Sequence, residues 1–562
     1  MRQKFRISPD RALLAGLFFT AVVYCRDLQD NFILDDNFLI FWNRNLELWR
    51  NWKLFFVTDV FTASTPNIPV GPVAAQHYRP VYMLWLMLNE HLFGLIVPWW
   101  HLTSLLLHIC SIYLVYQLGL KILKDGWAAV LGALLFAFHP IHVESVAYLS
   151  ASTDLLVTVF VLISFLSYCR FREPGGSPIY LAVSLFTAAL AMLSKEPGAM
   201  LPFLLVAFEA LHETADGQRW TRFLWSLPFF AIVASYAIVR TVLFGRNLGP
   251  GPGFSRWAAI ADAPLVLLAY LRNLLWPQQL SFYYPGEWIS RWTIGKSFFL
   301  VFVVLIAVFL WKYYEGQRGV RLQLLWTAIL FGPALAAVVT FVKEDWMHDR
   351  HMYLVSVPFC LIVASGLTNL KFHRYTPIVC SFILVFLFCE TGIQVTRFTD
   401  EKRLYENAVK VAPQNVLAHR YYAYALWGAG NYEGALQEFR KTLEFTPRDP
   451  FVRTSYADGL AEAGHDEAAA TEYEIALRWS HDPAHRAFLL YRIAAFEINH
   501  SQFAESATHL REALQLTPQK LGYHAMLAEA LRQLGQVREA DQEMRSEVSL
   551  QKLSVHERMA MR

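Results

Sequence analysis

Long apolar runs are missing from the last third of this 562-residue chain, and charge is missing from stretches of the first two-thirds. Segments 297–311 (SFFLVFVVLIAVFLW) and 376–389 (TPIVCSFILVFLFC) hold no charged residue, whereas charges are dense from about 398 onward. A mean hydropathy of +0.31 is too high for a soluble chain of this size. Crossing a bilayer takes roughly 20 apolar residues in a helix, and only the first part supplies that length, repeatedly. Cysteine is absent from the tail, and all six cysteines lie in or beside apolar spans, which excludes a disulfide framework and a zinc site. A basic stripe with interleaved aromatics is also absent, and the formal charge is only +3, so a nucleic-acid partner is excluded. The first 25 residues have the charge and length of a signal peptide but no small-x-small cleavage site, and they read as an uncleaved first span.

What is present predicts an all-α chain in three parts. A multi-pass membrane domain occupies 1–397, a soluble helical array 398–545 and a short tail 546–562. About eleven spans are expected near 12–25, 101–118, 127–139, 153–169, 179–193, 198–211, 223–243, 297–314, 324–342, 352–369 and 376–395. With the N-terminus inside, the short inside connections hold fifteen basic residues: Arg2, Lys4, Arg6, Arg11, Lys121, Lys124, Arg170, Arg172, Arg219, Arg222, Lys312, Arg318, Arg321, Lys371 and Arg374. The short outside connections hold only Lys195, Lys343 and Arg350, so the positive-inside rule fixes a cytoplasmic N-terminus. The stretches 258–277 and 79–97 read as interfacial or re-entrant helices inside two long outside loops, 244–296 and 26–100. An extra crossing at 258–277 would put Arg318, Arg321, Lys371 and Arg374 outside.

The tail has a period. Tyr432, Asp466, Phe503 and Val537 follow equivalent turns at spacings of 34, 37 and 34. Small residues recur around them (Gly430 and Gly464, Ala435 and Ala469, Ala476 and Ala513), and Pro413, Pro447 and Pro518 close three units. This is the tetratricopeptide repeat length. The pattern predicts a leading half-unit (Leu404, Tyr405, Ala408) and about four repeats, stacked into an α-solenoid with a concave groove for a protein or peptide. An odd number of spans puts this array outside the cytoplasm.

The candidate chemistry gathers in the outside connections. Asp35 and Asp36, in FILDDNFLIFWN, lie about ten residues after the first span among apolar neighbours. Two adjacent acids there suit one raised and one ordinary pKa, a general base beside a structural partner; they would serve equally as the N-cap of a following helix. FAFHPIHVESVAYLSASTD brings His139, His142, Glu144 and Asp154 into one connection. His-x-x-His-x-Glu could hold a metal or a phosphate, and His139–Pro140 could equally end a helix with a satisfied imidazole. LSKEPG offers Lys195 and Glu196, which could pair and snorkel or meet a lipid phosphate. VKEDWMHDRHMYLVSVP offers Asp349, Arg350 and Tyr353, and QHYRP offers Arg79; arginine's planar fork suits phosphate oxygens.

Taken in order, FILDDNFLIFWN, HYRPVYMLWLMLNEHLFG, FAFHPIHVESVAYLSASTDLL, LSKEPGAMLP, LLWPQQLSFYYP and HDRHMYLVSVP resemble the transmembrane and tetratricopeptide-repeat-containing O-mannosyltransferases and their bacterial relatives. These are GT-C glycosyltransferases. The resemblance runs from about residue 30 to 360 and continues into the repeats. It implies a GT-C-like membrane domain and an inverting transfer of a sugar, commonly mannose, from a polyprenyl phosphate to Ser or Thr. It also implies Asp35 as the base that deprotonates the acceptor, Asp36 as its orienting partner, and Lys195 and Arg350 as holders of the donor phosphate. Two departures fall on the donor side: no Arg precedes Asp154, and Asp349-Arg350-His351 stands where relatives have Glu-Arg-Tyr.

The expected function is therefore an integral-membrane glycosyltransferase of the extracytoplasmic face, in a bacterial inner membrane. A polyprenyl-phosphate-linked sugar is the donor, the groove of the repeats binds a protein or peptide acceptor, and no metal is indicated. The alternatives are an O-antigen-ligase or polymerase-like glycan transferase, using arginines such as Arg246, Arg256, Arg272 and Arg291, and a non-enzymatic repeat scaffold for envelope proteins.

Overall fold

Apolar runs too long to leave unpaired in lipid must satisfy their backbone internally, and here every one of them has become a helix. The computed structural model describes residues 8–26, 31–64, 77–211, 221–245, 256–286, 292–340, 345–369 and 375–560. Arg2, Lys4, Arg6, Arg219, Arg246, Arg291, Lys343, Lys371 and Arg374, used above to argue sidedness or a rival function, lie outside them. No strand occurs among the described residues, and the chain is all-α. It forms two compact units, the first running to Ala412 and the second from Pro413 to the end.

In the first unit, α1 (Pro9–Tyr24), α2 (Pro80–Phe93), α3 (Val97–Leu123) and α4 (Gly126–Ala137) come first. They are followed by α5 (Ser152–Phe171), α6 (Pro178–Ser194), α7 (Leu201–Leu211), α8 (Leu227–Phe244) and α9 (Arg256–Leu275). Last come α10 (Ile294–Tyr313), α11 (Arg318–Ala336), α12 (Ser356–Thr368), α13 (Thr376–Phe398) and α14 (Glu401–Val411). Among the described residues, six helices are long and apolar enough to cross a membrane by themselves: Val97–Leu123, Leu149–Phe171, Thr221–Phe244, Ile294–Tyr313, Arg318–Val339 and Thr376–Arg397. The chain is a multi-pass membrane protein. On α10 no residue is buried, so an apolar surface faces outward all round, as suits a helix solvated by lipid.

The packing uses small residues and hydroxyls, as expected where lipid removes the hydrophobic drive between helices. A Cβ on Gly119 would meet Ala129 at 2.9 Å, so α3 and α4 approach backbone to side chain only because that position is glycine. Helices α5 and α6 are joined by reciprocal bonds: Ser164 Oγ donates to the Ser184 carbonyl at 2.7 Å and Ser184 Oγ to the Ser164 carbonyl at 2.8 Å. At one end of the unit Tyr116 donates to Asp10 at 2.7 Å, Lys121 pairs with Glu173, and Arg172 pairs with the buried Glu209 at 2.6 Å. The basic ends of α3 and α5 thus share an end with the start of α1.

The second unit is a run of helical hairpins: α15 (Val416–Gly428) with α16 (Tyr432–Phe445), α17 (Pro450–Glu462) with α18 (Asp466–Trp479), α19 (Pro483–Asn499) with α20 (Phe503–Leu516), and α21 (Tyr523–Gln533) with α22 (Val537–Ala560). Side chains of Asn415, Asn431, Asp449 and Asp482 cap the helices they precede. Ala435, Ala469, Ala476 and Ala513 are fully buried, where larger side chains would push paired helices apart. Three of the four hairpin turns carry a left-handed glycine: Gly430 (φ 75°), Gly464 (φ 78°) and Gly535 (φ 74°). The half-unit expected to lead the array, α14 with Leu404, Tyr405 and Ala408, belongs to the first unit; the division falls at Ala412/Pro413 rather than 397/398. Leu404 and Tyr405 are each only 1% exposed, buried on the apolar face of α14.

Candidate active site

Asp35 and Asp36 sit at the mouth of a tight turn, and their neighbours differ. The Asp36 amide donates to the Ile33 carbonyl at 3.0 Å, closing a turn with Leu34 and Asp35 at its corners. Leu34 has φ 55°, unusual for a residue with a side chain and of the kind that clusters at functional sites. Asp36 is fully buried. Its Oδ1 accepts the Ser150 amide at 2.7 Å and the Ser150 hydroxyl, and its Oδ2 accepts the Ile33 amide at 3.4 Å. It caps no helix of its own. Asp35 is half-buried, and the Tyr148 hydroxyl is among the groups that favour its ionised carboxylate.

Both acids differ from the expected pairing of one raised and one ordinary pKa, since both are raised. Burial pushes Asp36 up to about 7 against the pull of Ser150. Burial also raises Asp35, opposed by the Tyr148 hydrogen bond and the Arg350 charge. A raised carboxyl group is a stronger base once ionised.

The cations expected to hold phosphate are gathered by ion pairs. Arg79 forks onto Glu196, Nη2 to Oε2 at 2.8 Å and Nε to Oε1 at 3.4 Å, with His77 3.8 Å from the same carboxylate. Lys195 lies 2.5 Å from Asp154. The Arg350 guanidinium bonds Glu144, whose other oxygen accepts the Arg350 amide at 3.1 Å. His348 stands 3.5 Å from Glu144 and bonds Asp345 at 2.8 Å. Arg350 also lies over the rings of Phe282, at 5.8 Å, and Tyr148, at 6.0 Å. Lys195 is pulled down by burial and by the charges of Arg79 and Arg350, against the pull of Asp154. Cations crowded in this way favour an entering anion.

The short segment 148–154 ties these groups together. Tyr148 reaches Asp35, Ser150 holds Asp36, and Asp154 holds Lys195. Charge identified Asp154 in the sequence; the hydroxyls of Tyr148 and Ser150, in the same motif, carry no comparable signal. His77 and Asp345 were missed as well.

The remaining expected residues go elsewhere. His139 accepts the Ile141 amide at 3.2 Å and bonds the Leu274 carbonyl at 3.0 Å, the satisfied imidazole at a helix end. His142 bonds Ser356 at 2.7 Å, and Tyr353 bonds His108 at 2.7 Å, all inside a buried knot around Phe136. Asp349 accepts Tyr284 at 2.7 Å and Asn273 at 3.1 Å. Burial, then the charge of Glu144, pushes it up to about 8. Among the described residues, no three of His, Cys, Asp or Glu converge as metal ligands.

Fold and site define an all-helical, multi-pass membrane protein with an acid–base cluster among its helices, followed in the chain by a helical-repeat array. Residues 79–244 match the family described as dolichyl-phosphate-mannose-protein mannosyltransferase. Protein O-mannosyl-transferase TMTC3 of Homo sapiens is 26% identical over 473 residues, 76% of this chain and 50% of that protein. TMTC4 of Homo sapiens is 26% identical over 488 residues, 74% of this chain and 64% of that protein. Tmtc2 of Drosophila melanogaster is 32% identical over 289 residues, 48% of this chain and 30% of that protein. The chain thus spans between 50% and 64% of the length of these human relatives. ArnT from Cupriavidus metallidurans in the apo state aligns with 86% of this chain and 80% of its own at 15% identity, with a TM-score of 0.40. The resemblance carried by the ordered motifs is matched by sequence similarity to protein O-mannosyl-transferases along about three quarters of the chain.

Proposed function

We propose that the chain is an integral-membrane glycosyltransferase that moves a hexose, mannose foremost, from a polyprenyl phosphate to Ser or Thr hydroxyls of a protein. The observation that carries this reading is the half-buried Asp35, with a raised pKa, in a site that also holds Arg79, Lys195 and Arg350. The printed names of the relatives, protein O-mannosyl-transferases, point the same way. Asp35 takes the proton of the acceptor hydroxyl as its oxygen attacks the anomeric carbon. The bond from that carbon to the phosphate oxygen breaks, and the departing lipid phosphate leaves with both electrons, its charge met by the three cations. A single displacement of this kind inverts the anomeric carbon. Asp36, with both oxygens bonded, orients the turn.

The reaction takes place at the extracytoplasmic face of a bacterial inner membrane, with the N-terminus in the cytoplasm. The bonded ends of α1, α3, α5 and α7 support this sidedness, because they gather Arg172 and Lys121 together at the end where α1 begins. The groove of the repeats takes the acceptor. Asp35→Asn should lower hexose addition by about 10²- to 10⁴-fold with the protein still folded in the membrane. Intact mass spectrometry of secreted proteins reads this; hexose additions unchanged from the unmutated strain would overturn the proposal.

A further inference from the structure

Leu34, the residue before Asp35, is the first corner of the Ile33–Asp36 turn, and it alone of the two corner residues has positive φ. That is the pattern of a II′ turn, whose first corner is ordinarily glycine because a Cβ there is strained. Something must hold leucine in that conformation. Its amide donates to Glu401 Oε1 at 2.8 Å, a charge-assisted bond across 367 residues of sequence.

Glu401 opens α14. The same helix reaches the opposite side of the site. Asn407 donates to the Leu280 carbonyl at 3.1 Å, and Gln394 of α13 donates to it at 3.2 Å. The Tyr405 ring lies 6.3 Å from Phe282 and stacks on Tyr283 at 6.3 Å. Phe282 is in turn the ring beneath Arg350 and lies 6.1 Å from Tyr148. One short helix after the last membrane segment therefore grips both the turn that carries Asp35 and the segment packed on Arg350.

We propose that Glu401 is a positioning residue: its carboxylate pins the Leu34 amide, holds the strained turn and so aims Asp35 at the acceptor. This rests on Asp35 being the base. A loose turn would leave Asp35 present but misdirected, and displacements of about 1 Å can cost up to about a hundredfold in rate.

The test uses full-length protein with undecaprenyl-phosphate mannose as donor and a Ser/Thr-rich peptide as acceptor. Glu401→Ala should lower kcat by about tenfold or more while the KM for donor stays within about twofold. Glu401→Gln keeps an acceptor oxygen and should restore most of the rate. Leu34→Gly placed in the Glu401→Ala background should also restore it, because glycine takes positive φ unaided. A purely structural loss would not be relieved by adding a glycine. If Glu401→Ala does not accumulate, Glu401→Asp, one methylene short of the amide, should give the same kcat loss and the same rescue. Wild-type kcat in Glu401→Ala, or a loss that neither Glu401→Gln nor Leu34→Gly relieves, overturns the inference while leaving Asp35 as base. Full activity in Asp35→Asn overturns the underlying reading instead.

Discussion

Asp36 has both carboxylate oxygens occupied by Ser150 and Ile33, which under the proposed reaction leaves Asp35 to receive a proton from an acceptor hydroxyl. Tyr148 sets when it can do so. The Tyr148 hydrogen bond favours the ionised carboxylate and lowers a pKa that burial has raised. The base must be ionised to work, so activity falls as pH drops through that pKa. Tyr148→Phe removes the lowering influence, and the acid limb of the kcat/KM profile should move to higher pH. At pH values on that limb the loss should be about tenfold, the worth of ~1.5 kcal/mol for a hydrogen bond to a charged group. A limb that stays in place or moves to lower pH would separate Tyr148 from the base. At this scale the charged residues were legible in the sequence: Asp35, Asp36, Arg79, Glu144, Asp154, Lys195, Glu196 and Arg350 were all singled out, and the structure gathers the last six into three ion pairs. The hydroxyls of Tyr148 and Ser150 were not, because a Tyr or Ser among apolar residues looks the same whether it serves a carboxylate or a backbone carbonyl. His139 takes the helix-end alternative and His142 and Tyr353 lie in a buried knot, since spacing cannot distinguish an imidazole in either place from one facing a ligand.

The four hairpins of the repeat array make a comparison that one helix could not. Gly430, Gly464 and Gly535 hold positive φ in their turns, and the third turn does the same with Ser501 at φ 60°. Left-handed geometry costs a residue with a Cβ ~1 kcal/mol or more, while glycine adds about 0.5 kcal/mol of unfolded-chain entropy. Ser501→Gly should therefore stabilise residues 413–562 by about 0.5 kcal/mol or more in urea unfolding. Gly464→Ala should cost about 0.5 kcal/mol or more, backbone strain less the entropy that alanine removes from the unfolded chain, because a Cβ there meets nothing within 4 Å. Equal effects of opposite sign from the expected ones would show that these turns tolerate the strain. The period also carries a bond that the sequence pattern did not reveal. His419 bonds both Glu438 and the Pro413 carbonyl, Arg453 bonds both Glu472 and the Pro447 carbonyl, and His524 bonds both Glu543 and the Pro518 carbonyl. With an acceptor at each nitrogen, His419 needs both its protons. Burial opposes this, but Glu438 wins and its pKa is raised. The stability it contributes is complete below the ordinary histidine value and is lost as pH rises through the raised one. The melting temperature of the array should fall over that window in the wild type and fall less in His419→Gln. Small residues and prolines made the repeat legible; a hydrogen-bonding side chain that is His in two repeats and Arg in another does not register as a repeat until its partners are visible.

For the whole chain, about eleven apolar runs were read as spans, and among the described residues six helices are long and apolar enough to cross a membrane by themselves. The proposed sidedness rests on lysine and arginine. It depends on 258–277, where α9 buries Leu265, Val266, Tyr270 and Leu274 and is not among the six helices long and apolar enough to cross alone. The boundary between the two units was less legible. Leu404, Tyr405 and Ala408 have the spacing of a repeat helix, so α14 read as the start of the array, yet its partners are Leu34 and the Leu280–Tyr283 segment of the first unit. This moves the cut that would separate acceptor capture from chemistry. Ending the chain at residue 401 would remove Asn407 and Tyr405 and damage both sides of the site; ending it at Ala412 keeps the first compact unit whole. The chain ended at Ala412 should transfer hexose to a short peptide at a rate within about tenfold of the full chain. Its transfer to a long protein acceptor should fall by about 10²-fold, the scale on which losing a tethered second contact lowers effective concentration. The two rates are read side by side on the same membrane preparation with the same donor. Parallel losses on peptide and protein would mean that the array supports the membrane unit rather than selecting what it glycosylates. A chain ended at 401 that matched the one ended at 412 would return α14 to the repeats, where the sequence alone had placed it.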